Sequence, residues 1–288
     1  MREKGIWYHT VDSPEEVEKI HRILGDDCMN CRTIIRVWVD DGHSKIPLGS
    51  KFGCHLEEAP KILETLKKYN MPAVGVSFHV GSGDANDDAY RNAIEKSRKL
   101  FDMAASYGFH MYILDLGGGW SGELGGDQLS SPTLSKTYHV ISDTLKQEGF
   151  FDIPDLHILN EPGRYFNERT IHAVCTITHV SKKRNRIIYR INEGVYGIFK
   201  DIVLCKIEVT GIPLLDDDAD QTLYTSSIVG PSFDDVDVIC PDIQLPRMKV
   251  GDHILFENMG AYTYSISTTL LRENQSQVYV VKESSLSQ

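Results

Sequence analysis

Apolar positions in the first 165 residues switch between two periods. Short β-rich runs at 5–10, 33–39, 73–80, 110–116 and 155–159 each end in a turn. Between them, 13–24, 57–69, 87–107 and 131–147 carry apolar residues at helical spacing. Ser13-Pro14-Glu15-Glu16 predicts a helix start: a side-chain cap, a proline at the first helical position, and acids near the positive dipole end. Strands alternating with helices at this spacing predict βαβ units and a parallel sheet.

Past residue 170 the texture changes. Residues 171–210 hold β-branched runs (HAVCTITHVS, RIIYRI, DIVLCKIEVTG), and helical periodicity largely stops. Further β-like segments are expected at 221–228, 236–239, 253–256 and 277–281, with the acidic stretch 216–220 as a solvated loop. The expected division is therefore 1–169, an α/β unit, and 170–288, an antiparallel β domain. Five βα-type strands fit either of two architectures. One is a complete doubly wound sheet; the other is the later part of a (β/α)8 barrel.

Composition narrows the function classes. Hydrophobic residues at 41% and charged residues at 25% are ordinary for a globular protein, and no apolar run reaches the ~18 residues of a membrane span. A net charge of −11 with no basic run disfavours nucleic acid and suits small cationic ligands. The amino terminus lacks the pattern of a secretory signal. Six scattered cysteines, Cys28 and Cys31 among them in CxxC spacing, have no second ligand pair for zinc. Reduced thiols, no metal site and a cytoplasmic setting are expected.

Polar chemistry gathers where the strands end. Leu114–Trp120 reads LDLGGGW, and three glycines let backbone N–H groups approach an anion, although such a loop can also be only a turn. Asn160–Arg164 reads NEPGR, with a carboxylate and a guanidinium three residues apart. Arginine suits bidentate phosphate recognition, and the pair could equally brace the turn. His79 sits beside Gly-Ser-Gly, where it could stack on a flat ring. In (β/α)8 barrels the loops after strands 7 and 8 form the usual phosphate site, so these strands would be numbers 4 to 8.

VGVSFHVGSG (74–83), LDLGGGW (114–120), NEPGRY (160–165), INEGVYGIF (191–199), SSIVGPSFDDVD (226–237) and VGDHILFENMGAYT (250–263) occur in order along nearly the whole chain. Together they resemble the ornithine decarboxylase family, the alanine-racemase-like barrel class of pyridoxal-phosphate enzymes. The resemblance implies a partial barrel followed by an antiparallel β domain, with pyridoxal 5'-phosphate as cofactor. It casts Glu161 as partner of the pyridine nitrogen and His79 as the residue stacked on the ring. Ser82, Gly118, Gly119, Arg164 and Tyr262 would hold the phosphate, and Arg36 would lie near the cofactor. Asp234 and Glu193 would be the acids at the substrate end, facing a small cationic amino acid, with Asp234 acting across a dimer interface.

Three departures come with the resemblance. The family's cofactor-linking lysine lies on an early barrel strand, a region without counterpart here; Val281-Lys282 looks similar but sits in the β domain. The family's Cys-Asp-Gly reads Phe233-Asp234-Asp235, so a phenyl ring stands where a thiol manages a proton. The family's Asn-Asp-Gly reads Asn192-Glu193-Gly194. The expected product is a shortened, divergent lyase of polyamine biosynthesis, weak or inactive by itself. It would form a homodimer, or a heterodimer with a full-length paralogue. The alternative is a non-catalytic antizyme-inhibitor-like paralogue with antizyme as its partner.

Overall fold

A computed structural model describes residues 2–83, 87–122, 134–216, 218–268 and 277–281. The chain divides into two units, Met1–Thr170 and Ile171–Gln288.

The first unit holds strands β1 (Tyr8–Val11), β2 (Arg32–Arg36), β3 (Ala73–Ser77), β4 (Ile113–Asp115) and β5 (His157–Leu159). Helices α1 (Pro14–Leu24), α2 (Ala59–Lys68), α3 (Asp87–Ser106) and α4 (Leu134–Gln147) join them, and α5 (Gly163–Asn167) follows β5. The start of α1 matches its sequence signature, with the Glu16 amide donating to Ser13 Oγ at 3.3 Å. Residues 131–133 of the helix expected over 131–147 lie outside the described residues.

The strands pair in parallel in the order β1-β2-β3-β4-β5. A doubly wound sheet reverses order at a switch point, whereas barrel strands follow one another, so this sequential order decides for the barrel arc. Each face of the arc has its own packing. On one, α2 buries Ala59, Ile62, Leu63 and Leu66 completely against a core that includes Ile35, Val76 and Leu114. Those helix positions recur at i, i+3, i+4 and i+7, a stripe matched to the sheet. Ile34, Val74 and Ile113 form a separate small cluster. Ile34 and Ile113 alternate with Ile35 and Leu114 along their strands, as pleat geometry requires, while Val74 and Val76 part where the β2–β3 register shifts.

The second unit is a six-stranded sheet in the order β10-β9-β7-β6-β11-β8. Its strands are β6 (Ala173–Lys183), β7 (Arg186–Ile191), β8 (Ile212–Leu214), β9 (Tyr224–Val229), β10 (Val238–Leu245) and β11 (His253–Phe256). Pairing is antiparallel except between β7 and β9, which run parallel, so the sheet is mixed. Its core centres on Tyr189, fully buried, whose hydroxyl donates to the Pro246 carbonyl at 3.0 Å and accepts from the Met248 amide at 3.2 Å.

Two sequence expectations need correction here. The run DIVLCKIEVTG was read as β; its first part is instead α6 (Lys200–Leu204), closed by the Cys205 amide donating to the Asp201 carbonyl at 2.8 Å. β-branched residues tolerate a single helical turn when local hydrogen bonds hold it. Residues 277–281 form no strand, and Val278–Val281 are exposed, with no pairing partner among the described residues. In addition, β10 runs on through Pro241, beyond the expected 236–239. It is an edge strand, where a missing N–H costs no ladder bond.

Candidate functional site

In the first unit the parallel ladder continues past the strand ends into the loops. The Val37 amide donates to Ser77 O at 2.9 Å, and Phe78 N to Asp115 O at 3.1 Å. Leu116 N donates to Leu159 O at 3.0 Å, and Glu161 N to Gly117 O at 2.7 Å. Those bonds set Arg36, His79, Asp115 and Glu161 side by side at one end of the sheet. The glycines of the β4 loop make the approach possible. A Cβ on Gly118 would collide with the Glu161 carbonyl, and one on Gly119 with the Gly81 carbonyl. Gly119 also has φ +92°, a conformation that side chains disfavour.

Charge in this cluster converges on Arg36, the last residue of β2. Burial pulls its guanidinium down from the ordinary arginine value, while Glu161, Asp12, Asp41 and Asp115 pull it back up. The Phe52 ring packs 4.9 Å below the guanidinium carbon. Desolvation raises Asp115, against the opposing pull of the Gly117 amide and Arg36. Glu161, exposed as a residue, is raised by loss of water around its carboxyl and by the like charge of Asp115, with Arg36 opposing. Burial and then the Arg36 charge press His79 down to about 4, so its ring is neutral at pH 7. Its Nδ1 accepts from the Gly81 amide at 2.9 Å, which assigns the ring proton to Nε2.

The remaining expected phosphate residues of this unit are placed differently. Ser82 is buried, and its backbone amide and carbonyl both bond to Ile46, at 3.2 and 3.1 Å. Its amide is therefore committed to the chain, leaving the hydroxyl for a ligand. Arg164, 6% exposed, lies 3.3 Å through Nη1 from Oε1 of Glu168, itself 1% exposed.

Of the expected residues of the second unit, Glu193, Phe233 and Asp234 lie on two connected loops, and Tyr262 lies elsewhere in the chain. Glu193 is buried, its carboxylate folded against Gly197. Asp234 is exposed and accepts from the Tyr196 hydroxyl, a bond that raises the tyrosine. Phe233 is 95% exposed. Tyr262, 52% exposed, has φ 58°. Asp237, unremarked in the sequence, ties the two loops together. Its buried carboxylate accepts from Val195 N at 2.8 Å and Ser232 N at 2.9 Å, clamping the 193–197 turn to the 230–237 loop. Asp12, Asp41 and Glu168 were also missed in the first unit. Asp12 follows directly on β1, and a polar residue at a strand's C-terminal end was the signal that could have flagged it.

Among the described residues no group of histidines, cysteines and acids is arranged to hold a metal ion, and no helix is long and apolar enough to cross a membrane. No disulfide joins any of the six cysteines among the described residues.

Comparison with known proteins agrees with this fold. Residues 1–168 match the family described as pyridoxal-dependent decarboxylase, pyridoxal binding domain, and residues 111–260 match its C-terminal sheet domain. Antizyme inhibitor 2 of Xenopus laevis is 35% identical over 96% of this chain and 61% of its own length. The Caenorhabditis elegans ornithine decarboxylase is 33% identical over 90% of this chain and 62% of its own. The chain thus spans about three-fifths of the length of these relatives. Among solved structures, the arginine decarboxylase of Paramecium bursaria Chlorella virus, bound to agmatine, superposes with a TM-score of 0.85 at 33% identity, covering 93% of this chain and 69% of that one. The lysine/ornithine decarboxylase of Vibrio vulnificus, complexed with cadaverine, gives 0.81 at 27% identity, covering 97% and 71%. Two domain matches in order, over a barrel arc and a sheet with the right motifs at their strand ends, place the chain in the pyridoxal-dependent decarboxylase family, alongside ornithine decarboxylase.

Proposed function

We propose that this chain binds pyridoxal 5'-phosphate at the strand ends of its first unit and is an ornithine-decarboxylase-like protein whose 288 residues are a weak decarboxylase by themselves. The observation that carries the reading is the ladder extended beyond β2–β5, which aligns Arg36, His79, the glycine loop and Glu161. These residues fit the cofactor. The glycine loop packs so closely on the Glu161 and Gly81 carbonyls that only glycine backbone fits there, and Ser77 Oγ and Trp120 Nε1 are buried polar atoms without a protein partner among the described residues.

Each residue then has a role suited to its environment. Glu161, raised above the usual carboxylate range, is closer in basicity to a pyridine nitrogen and shares its proton more strongly. Neutral His79 offers a flat face for stacking without a charge to desolvate. Ser82, Gly118, Gly119, Arg164 and Tyr262 would hold the phosphate, and Arg36 would balance the nearby carboxylates. Glu193 and Asp234 would hold the distal ammonium of a small cationic amino acid. When bound, pyridoxal phosphate supplies the electron sink for decarboxylation. Phe233 cannot move the proton that a thiol would, so turnover is impaired. Residues 1–169 serve as the cofactor domain and 170–288 as the sheet domain, in a cytoplasmic dimer linked to polyamine synthesis.

The test is a pyridoxal-phosphate titration of the purified chain, read by absorbance, then borohydride reduction and peptide mapping of any labelled lysine. Saturable binding is expected; a folded chain that binds none overturns the reading. Putrescine or agmatine produced well above a no-protein control would overturn the impairment.

One observation favours a second reading. Phe233 is almost fully exposed, and a relative matched over most of the chain is an antizyme inhibitor. A non-catalytic paralogue could keep the fold and bind antizyme, and capture of purified antizyme by a chain that binds no cofactor would favour it.

A further inference from the structure

Glu168 sits one helical turn beyond Arg164, both side chains almost sealed from water. Three donors converge on its carboxylate. Arg164 Nη1 lies 3.3 Å from Oε1, while Ser121 Oγ and the Gly122 amide donate to Oε2 at 3.0 and 2.8 Å. Ser121 and Gly122 directly follow the glycine loop, so the donors come from the loop after β4 and from α5, which follows β5. The fit is close: a Cβ on Gly122 would lie 2.8 Å from the Tyr165 carbonyl and 3.4 Å from the Glu168 Cβ. A guanidinium, a hydroxyl and a backbone amide around two oxygens make an anion site, and here the chain supplies the anion itself.

We infer that Glu168 is a resident counter-anion of this site, holding Arg164 and setting a low affinity for phosphate-bearing ligands. The inference rests on the proposed cofactor reading and deepens it. Two effects follow from the same geometry. Arg164 is charge-compensated before a ligand arrives, which lowers its pull on a phosphate. A phosphate approaching the arginine also meets a fixed carboxylate of like sign, desolvated and therefore poorly screened. Unfavourable burial of either charge alone keeps the pair closed when no ligand competes.

Glu168→Gln separates this from a positioning role, because it keeps the side-chain volume and an acceptor oxygen while removing the charge. Affinity would be measured by fluorescence titration with pyridoxal 5'-phosphate and, in parallel, with pyridoxal, which lacks the phosphate. The expected result is about tenfold tighter pyridoxal phosphate in E168Q, the worth of one charge-assisted hydrogen bond, with pyridoxal unchanged. Looser or unchanged pyridoxal phosphate, in a chain whose wild type binds it, overturns the counter-anion and makes Glu168 a residue that positions Arg164. Failure of folded wild type and variant to bind either compound overturns the cofactor reading and the inference with it. Should E168Q not fold, Ser121→Ala removes one donor and leaves the pair. The carboxylate then loses a neutralising donor, so pyridoxal phosphate is expected to bind about twofold more loosely with pyridoxal unchanged, and no loosening overturns the inference.

Discussion

Two carboxylate sets, one in each unit, are satisfied in different ways. In the first, Asp115 and Glu161 share one cation, Arg36, and both are pushed up because its pull, even with the Gly117 amide on Asp115, does not offset their desolvation. In the second, Asp237 is satisfied by backbone amides, and Asp234 by a tyrosine hydroxyl. Amide-held carboxylates fix loop geometry at the cost of little tunability. A carboxylate set balanced on one guanidinium is electrostatically responsive, the property expected where a ligand brings or removes charge. The Arg36 cluster therefore keeps tunable chemistry, while Asp237, like Asp41 of the first unit with its Leu48 and Gly49 amides, keeps loop shape.

The largest expected effect tests the clamp. Asp237→Ala strands a buried N–H donor at Val195 and a half-buried one at Ser232, and should cost roughly 2 to 4 kcal/mol in denaturant unfolding. Asp237→Asn keeps one acceptor oxygen and should cost about half as much. A loss under about 1 kcal/mol for the alanine variant would remove the contrast between the units.

Next in size is the acid limb of the first unit. His79 is held down to about 4 in the folded chain against an ordinary value of 6.5. Its contribution is present above pH 6.5 and lost as pH falls from there towards 4, because the unfolded chain then binds the proton first. The loss is on the order of 3 kcal/mol. His79→Asn retains an acceptor for the Gly81 amide but does not titrate, so its stability should be flatter over that window. A wild-type-like slope would mean that other groups set the acid limb. The smallest effect concerns the cation. Arg36→Met keeps the stem over Phe52 and removes the charge, so Asp115 and Glu161 should rise further. Carboxyls raised on folding cost stability above their titration range. The variant should therefore trail wild type by about 1 kcal/mol at pH 7, the gap closing as pH falls through the carboxylate range. Carbon-detected titration of the two carboxyls checks the direction.

Local signals carried much of the fold into the sequence. The Ser13-Pro14 start of α1, the alternation of β1 to β5 with helices and the motifs at the strand ends could all be read within a dozen residues of one another. Run-on β-branched composition misled at α6, where one turn is decided by the Asp201–Cys205 hydrogen bond rather than by propensity. Part of the candidate site was legible because its residues sit in glycine-rich loops. Asp12, Asp41, Asp237 and Glu168 were not, since their significance lies in contacts made by folding. Asp237 reaches back to Val195, and Glu168 to Ser121 and Gly122. A carboxylate in an unremarkable stretch such as RYFNER carries no mark of the donors that will surround it.

The strand order described for the two sheets also sets a timetable for synthesis. Every strand of the first unit pairs with the one made just before it, so the arc can grow strand by strand as the chain leaves the ribosome. The second sheet cannot. β6 waits for β11, where Thr176 meets His253 across 77 residues, before its second edge is covered. Nascent chains arrested between Val229 and Val250 should therefore carry a folded α/β arc and a half-built sheet. That interval, when β6 still shows an unpaired edge, is when a chaperone or a stray strand has its best opportunity to bind.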